Sequence, residues 1–296
     1  MRFLVPLWLV FAWAAASSAQ FAPYTHPVMT WAPPYAVKKT KAWLIESAGN
    51  TGVADGLTHL ALQFWTPTPE GGVTRVDKFE DVGDATVAEF RTWAHAHGIR
   101  VMLCVYNGAE KWDWPLARAA FAGHPEAFAD ALLKEMERLE LDGIDLDLEG
   151  NGAFDADKSA FVAFTQRLAK LVHAVHKQVT VDTFAYRWNA PNQTWWKELL
   201  PLVDGLTTMG YEETGAHSED WRAYEAQKAA AAPHADKLMM GLPTHQGQWQ
   251  GAKALDHLRW LRDNGVGAAL WDATCAAPTW RTPEVWDMLR QICTGK

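Results

Sequence analysis

Eight short apolar runs rich in β-branched and aromatic residues recur along the chain, and longer stretches with helical periodicity separate them. They run from Val28 to Trp31, Leu57 to Trp65, Ile99 to Tyr106, Gly143 to Glu149, Val179 to Tyr186, Gly205 to Tyr211, Lys237 to Leu242, and Gly267 to Trp271. Parallel strands need such crossovers, so the alternation predicts a parallel sheet covered by helices. Eight repeats in 296 residues point to a single α/β domain, a (β/α)8 TIM barrel whose site lies at the C-terminal ends of its strands. Helix boundaries agree. Asp84 or Thr86 begins one helix and Gly98 follows it, Pro125 sits in the first turn of the next, Gly265 follows the seventh, and the eighth runs from Pro283 to Ile292. Asp142-Gly143 and Asp204-Gly205 introduce strands four and six as turns. No repeat of fixed period is present, which excludes a solenoid.

Residues 1–19 have the form of a secretory signal: Arg2, an apolar stretch from Phe3 to Ala16, then small residues to Ala19. The apolar stretch is shorter than the ~20 residues of a spanning helix and contains Pro6. Cleavage near Ala19 leaves about 275 residues, a barrel domain from 20 to 296, in a secreted or periplasmic protein. The mature chain has 26 basic against 35 acidic residues, a net charge of −9 with no basic block, which disfavours nucleic acid and anionic membranes as partners. Of the three cysteines, Cys104 lies in a strand-like run and reads as core, while export would allow a Cys275–Cys293 bridge. Neither a G-x-S-x-G elbow nor a glycine-rich phosphate loop occurs, which weakens serine-hydrolase and nucleotide readings.

The fourth run, LDGIDLDLEG, places acids in an apolar frame. Alternate residues of a strand share a face, so Asp145, Asp147 and Glu149 point to the barrel axis while Ile144, Leu146 and Leu148 pack under helices. Neighbouring acids on that face have Cα atoms ~6.5–7 Å apart. Like charges that close cannot all ionise cheaply, so at least one carboxyl should be raised, and a protonated Glu149 at the strand end would serve as a general acid. A magnesium or calcium site is the competing reading, although further ligands at a suitable spacing are missing. His95 and His97 diverge on a helix and read as surface residues.

Asp142-Gly143-Ile144-Asp145-Leu146-Asp147-Leu148-Glu149 resembles the D-G-x-D-x-D-x-E signature of glycoside hydrolase family 18, which includes chitinases and endo-β-N-acetylglucosaminidases. Thr58-His59-Leu60 with Gln63-Phe64 resembles the family's second strand, Met209-Gly210-Tyr211 its sixth-strand M-x-Y, and Trp271 its eighth-strand tryptophan. The resemblance implies that Glu149 protonates the glycosidic oxygen, Asp147 orients the substrate's 2-acetamido group, and Asp145 exchanges a hydrogen bond with Asp147. It also implies that Tyr211 donates to the acetamido carbonyl, that Trp271 floors the −1 sugar, and that Asp142 supports the turn. In this family the substrate's acetamide is the nucleophile, an exception to the two-carboxylate scheme. The reaction then retains the β anomer and needs neither metal nor cofactor. The implied substrate is a glycan containing N-acetylglucosamine: chitin or its oligomers, an N-glycan chitobiose core, or a cell wall. A sugar-binding protein without activity is the rival class, against which stand Glu149, Asp147 and Tyr211.

The chain departs from the family pattern where S-x-G-G would end the third strand and Cys104-Val105-Tyr106-Asn107 stands instead, and where Glu212 replaces aspartate. Only about 20 residues, Thr244 to Asn264, separate strands seven and eight, too few for the α+β insertion domain of many chitinases. Seventeen tryptophans provide a separate signal. Trp31, Trp65, Trp188 and Trp271 fall at strand ends and Trp112, Trp114, Trp221 and Trp249 in the following loops, where flat faces suit sugar rings. Ordinary packing is the alternative for half of them. Trp43, Trp93, Trp195, Trp260 and Trp286 sit in helical patterns and read as core. Met209, Glu212, Tyr186, Asn189 and Asn107 complete the candidate sugar contacts.

Overall fold

In the computed structural model the described residues are 21, 23–76, 78–79, 81–149, 156–183, 194–209, 221–244 and 250–296. Among the described residues nine strands form one sheet: β1 Val28–Ala32, β2 His59–Pro67, β3 Val73–Arg75, β4 Arg100–Tyr106, β5 Gly143–Asp147, β6 Gln178–Thr183, β7 Gly205–Thr208, β8 Leu238–Pro243 and β9 Gly267–Trp271. Eight of them pair in parallel in the order β1, β9, β8, β7, β6, β5, β4, β2, and the β1–β2 ladder closes the barrel. All eight predicted strands are present. The ninth, β3, was not legible as a strand: it pairs antiparallel on β2 after a turn through Gly71 and Gly72, outside the closed ring.

The alternation inside and outside the barrel follows the sequence. Val28, Leu60, Leu62, Leu103, Val105, Ile144, Leu146, Val179 and Val181 face the helices in one continuous core. The inward apolar set is smaller, comprising Met29, Trp31, Ala61, Met102, Cys104, Met239 and Ala269, with Trp271 packed against it. Gly143 is required where it stands. A Cβ there would come within 2.4 Å of Gln178 O and of the Met102 side chain, so Asp142-Gly143 marks a tight strand entry as well as a turn. Between β8 and β9 the only described helix is Ala252–Asn264, and no additional domain is inserted.

The N-terminal end of the barrel is closed by a polar layer. His59 Nε2–H donates to Gln178 Oε1 at 2.8 Å, and Tyr24 stacks edge-on against the imidazole. Burial pushes His59 down to about 4, so it stays neutral. Asp142 belongs to this end too and does more than hold a turn: it accepts from His95 Nε2 (2.6 Å), Val101 N–H (2.9 Å) and Lys177 Nζ (3.0 Å). His95 is therefore a partly buried partner of Asp142, a correction to its reading as a surface residue, while His97 is exposed.

The cysteine expectation is corrected as well. Cys104, Cys275 and Cys293 are all free and buried. Cys293 Sγ donates to the Asp55 and Arg290 carbonyls, and burial pushes the Cys275 thiol up to about 12. No helix among the described residues is long and apolar enough to cross a membrane, and residues 1–19 lie outside them.

Candidate active site

Strand β5 carries the acids to the C-terminal mouth. Asp145 and Asp147 are buried and point inward, opposite Cys104 and Tyr106 of β4 in register. Asp145 is held by two donors, Trp31 Nε1 to Oδ2 at 2.9 Å and Thr180 Oγ1 to Oδ1 at 2.5 Å. Asp147 Oδ2 accepts from Gln63 Nε2 at 2.6 Å, while its Oδ1 is buried without a donor among the described residues. The Glu149 carboxyl stands beside Asp147. Burial raises Asp147 to about 7, against the pull of Gln63, with the Asp145 charge adding to the rise. Burial raises Asp145 too, against the pull of Thr180 and Trp31.

Glu149 lies two residues past the end of β5, half-buried, where no ladder fixes the backbone. Asn107, just beyond β4, does so instead: its Nδ2 donates to Glu149 O at 2.6 Å and its Oδ1 accepts from Glu149 N–H at 2.7 Å. The buried amide thus imitates one rung of sheet and extends the β4–β5 pairing to the acid. Asn107 was expected to touch sugar; the structure turns its amide to the glutamate backbone.

The tryptophans separate by geometry. Trp271 is partly exposed at the end of β9, and Trp31 lies beneath it, buried, with ring centroids 6.2 Å apart. Trp31 is thus a support for Trp271 and a donor to Asp145. Trp65 does not reach the mouth. A register shift in β2 between Leu62 and Trp65 turns it outward, where it is fully buried, donates to Glu135 Oε1 at 3.1 Å and lies under Arg75. Trp114 is likewise buried, on Asp157 and Phe121, whereas Trp112 is exposed and leans on Tyr106 at 6.1 Å. Trp43, Trp195 and Trp286 are core as expected, and Met209, buried after β7, donates its N–H to Thr183 O. Tyr186, Trp188, Asn189, Tyr211, Glu212 and Trp249 lie outside the described residues, as does the side chain of Trp221.

One acid escaped the sequence reading. Asp182 on β6 is buried beside Asp145 and Asp147, and burial together with those two charges raises it well above the ordinary carboxylate range. The run VTVDTF signalled a strand, and its alternation would have placed Asp182 on the axial face with Thr180. Polar atoms of Cys104, Asp147 and Asp182 lie within 4.8 Å of one another, close enough by distance to surround a cation. The donor chemistry does not fit one: burial raises the thiol and both carboxyls, so each would first have to lose a proton.

The profile of "Glycosyl hydrolases family 18" matches residues 34–292. Among solved structures, a chitinase from Chromobacterium violaceum ATCC 12472 superposes with a TM-score of 0.66 at 16% identity, covering 90% of this chain and 98% of that one. The chitinase ChiB from the chitin utilization locus of Flavobacterium johnsoniae gives 0.65 at 18% identity over 91% and 94%. The Bacillus cereus spore cortex-lytic enzyme SleL gives 0.66 at 11% identity over 92% and 75%. No curated protein sequence matches. At these identities the structural likeness speaks for the fold, and the profile, spanning most of the sequence, speaks for descent: the chain belongs to glycosyl hydrolases family 18.

Proposed function

We propose that this protein is an exported glycosidase that cleaves β-1,4-linked N-acetylglucosamine glycans, chitin or its oligomers, with retention of configuration. The observation that carries the reading is the acid row, Asp145 and Asp147 buried on β5 with Glu149 at its end, with Trp271 partly exposed at the end of β9. Glu149 protonates the departing oxygen and later removes a proton from water. Asp147, whose Oδ1 has no donor among the described residues, orients the acetamido group as it closes on the anomeric carbon. Tyr211 donates to the acetamido carbonyl, and Trp271 stacks under the −1 sugar. A raised Asp147 favours this scheme, because a neutral carboxyl can share a proton with Glu149 and with the acetamide. Residues 1–19 direct export, and residues 20–296 form the catalytic domain.

The test is release of reducing ends from chitin oligosaccharides by the wild type and by Glu149→Gln, with NMR of the first product. Wild-type activity, a loss of ~10³-fold or more in the variant and initial β anomer are expected. Equal activity in both proteins removes Glu149 from the mechanism, and early α anomer removes the acetamide pathway. Retained binding without hydrolysis by the wild type would make the protein a lectin. A cell-wall substrate is the second reading, supported by the fold likeness to a spore cortex-lytic enzyme. A panel of chitin oligomers, a high-mannose glycoprotein and peptidoglycan separates it from chitin and from N-glycan cores.

A further inference from the structure

Strands β5 and β6 run in register, Asp145 opposite Thr180 and Leu146 opposite Val181, so the next inward rung sets Asp147 opposite Asp182. The following ladder sets Asp182 opposite Thr207. Thr180 uses its rung well, donating to Asp145. The rung above it is different. Asp147 Oδ1 and Asp182 Oδ1 are buried and have no hydrogen-bond partner among the described residues, and the Thr207 hydroxyl beside Asp182 pulls on it too weakly to offset burial. Asp182 also meets Asp145 at hydrogen-bonding range, carboxyl to carboxyl, as Glu149 meets Asp147.

Two carboxyl groups can hydrogen-bond only through a proton, and leaving several buried carboxylate oxygens bare costs more than keeping protons on them. The titratable groups facing Asp182 among the described residues are Asp145 and Asp147 on β5, Glu149 beyond it, and the Cys104 thiol on β4. All are acids, and Thr207 on β7 is a neutral donor whose pull burial outweighs, so no positive charge among the described residues favours ionisation at this position. Such a set titrates as a unit whose protons belong to the group.

We propose that Asp182 is a positioning residue for the hydrolysis: a neutral carboxyl that braces Asp145 and lends its proton to Asp147. When Asp147 gives up its proton, a rotation of the two side chains, whose carboxyl oxygens lie within 4.8 Å, brings an Asp182 O–H onto an Asp147 oxygen; the proton crosses and the charge moves onto Asp182. No bond other than O–H is made or broken. The role rests on the proposed glycosidase activity, which it deepens. It explains how Asp147 remains protonated beside Glu149 at a pH where a single buried acid would already be losing its proton.

Asp182→Asn keeps the shape and a donor toward Asp145 but removes the proton store. Two measurements separate the outcomes. In the pH profile of kcat on a chito-oligosaccharide, the alkaline limb of Asp182→Asn should move to lower pH by about one unit or more, with KM within about twofold of wild type. In infrared spectra of the unliganded protein, the buried protonated-carboxyl band near neutral pH should lose intensity in Asp182→Asn relative to the wild type. The infrared arm needs no turnover, so it decides the proton even if the substrate assignment fails. Superimposable pH limbs, or a carboxyl band unchanged by the substitution, overturn the inference while leaving the glycosidase reading intact. Should Asp182→Asn fail to fold, Asp182→Ser, with a smaller hydroxyl donor, carries the same two measurements.

Discussion

Replacing Asn107 with leucine keeps the γ-branched shape of the side chain and deletes both of its bonds to Glu149, at 2.6 and 2.7 Å. Asn107 itself is buried, while Glu149 is half-exposed, so water can recover part of the loss on the glutamate side. Two ordinary hydrogen bonds then amount to about 1–3 kcal/mol of stability. At about 2–4 °C per kcal/mol for a domain approaching this size, the melting temperature should fall by several degrees. The effect on turnover should be larger. Glu149 lies past the last rung of β5 and its backbone is tied across to Asn107. A reacting group displaced by ~1 Å loses ~10²-fold, so kcat should fall ~100-fold, with KM nearly unchanged because the amide points at Glu149. Asn107→Asp should retain the bond from Glu149 N–H yet set a carboxylate against Glu149 O, and should recover as the pH drops and that carboxylate protonates. The assay is steady-state hydrolysis of a chito-oligosaccharide, with melting measured on the same samples. An Asn107→Leu protein with wild-type kcat and a raised KM would refute the reasoning and return Asn107 to the sugar contacts.

Trp65→Ala should lower stability by about 3–5 kcal/mol and leave the KM of any folded fraction unchanged, because the ring is buried away from the mouth; a selective rise in KM would contradict its placement. Trp271→Ala should do the reverse, raising KM at nearly constant melting temperature, since the ring is partly exposed at the end of β9. For Asp142, burial works against ionisation, but His95, Val101 N–H and Lys177 outweigh it and hold the carboxyl below its ordinary value. Its stabilisation is therefore fully present above the unfolded value of about 4 and disappears as the pH falls through the lower folded value. Asp142→Ala should flatten that acid limb in urea melts at stepped pH and cost about 2–4 kcal/mol at neutral pH. The three thiols should be silent to a thiol reagent in the native state and react together on unfolding.

The barrel could be read from sequence because its cause is local. Each strand is a run of apolar residues on one face, and each helix end has its proline or glycine. What escaped depended on contacts between distant residues. Strand β3 has only three residues and no apolar alternation. The outward turn of Trp65 comes from a register shift in β2 that no residue type announces. Asn107 looked like a sugar contact because it stands at the end of the third strand, where this fold places its site, and only the neighbouring strand shows that its two polar atoms match the Glu149 backbone. Asp182 had the right parity for the axial face but stood alone in its strand. Its importance appears only when β6 is laid beside β5.

The same ten-residue stretch holds two opposite solutions to a buried acid. At its start, Asp142 is surrounded by an imidazole, an ammonium and a backbone N–H, and these contacts hold its charge against the cost of burial. At its end, Asp145 and Asp147 receive only neutral donors and face further acids, so burial removes charge and leaves protons. Composition could not distinguish these cases, because the residue type is identical and the partners lie 35 to 114 positions away. The physical requirement differs, however. An anchor at the closed end of a barrel gains from a fixed charge, whereas a site that must pass a proton between substrate and protein needs carboxyls near the point of losing it. Asp147, raised to about 7, meets that requirement, and the acids around it maintain it at the expense of stability, since protons bound more tightly in the folded protein make it less stable as the pH rises from about 4 toward 7. Such an expense inside an otherwise apolar barrel is what a catalytic row would impose and what a structural one would have no reason to retain.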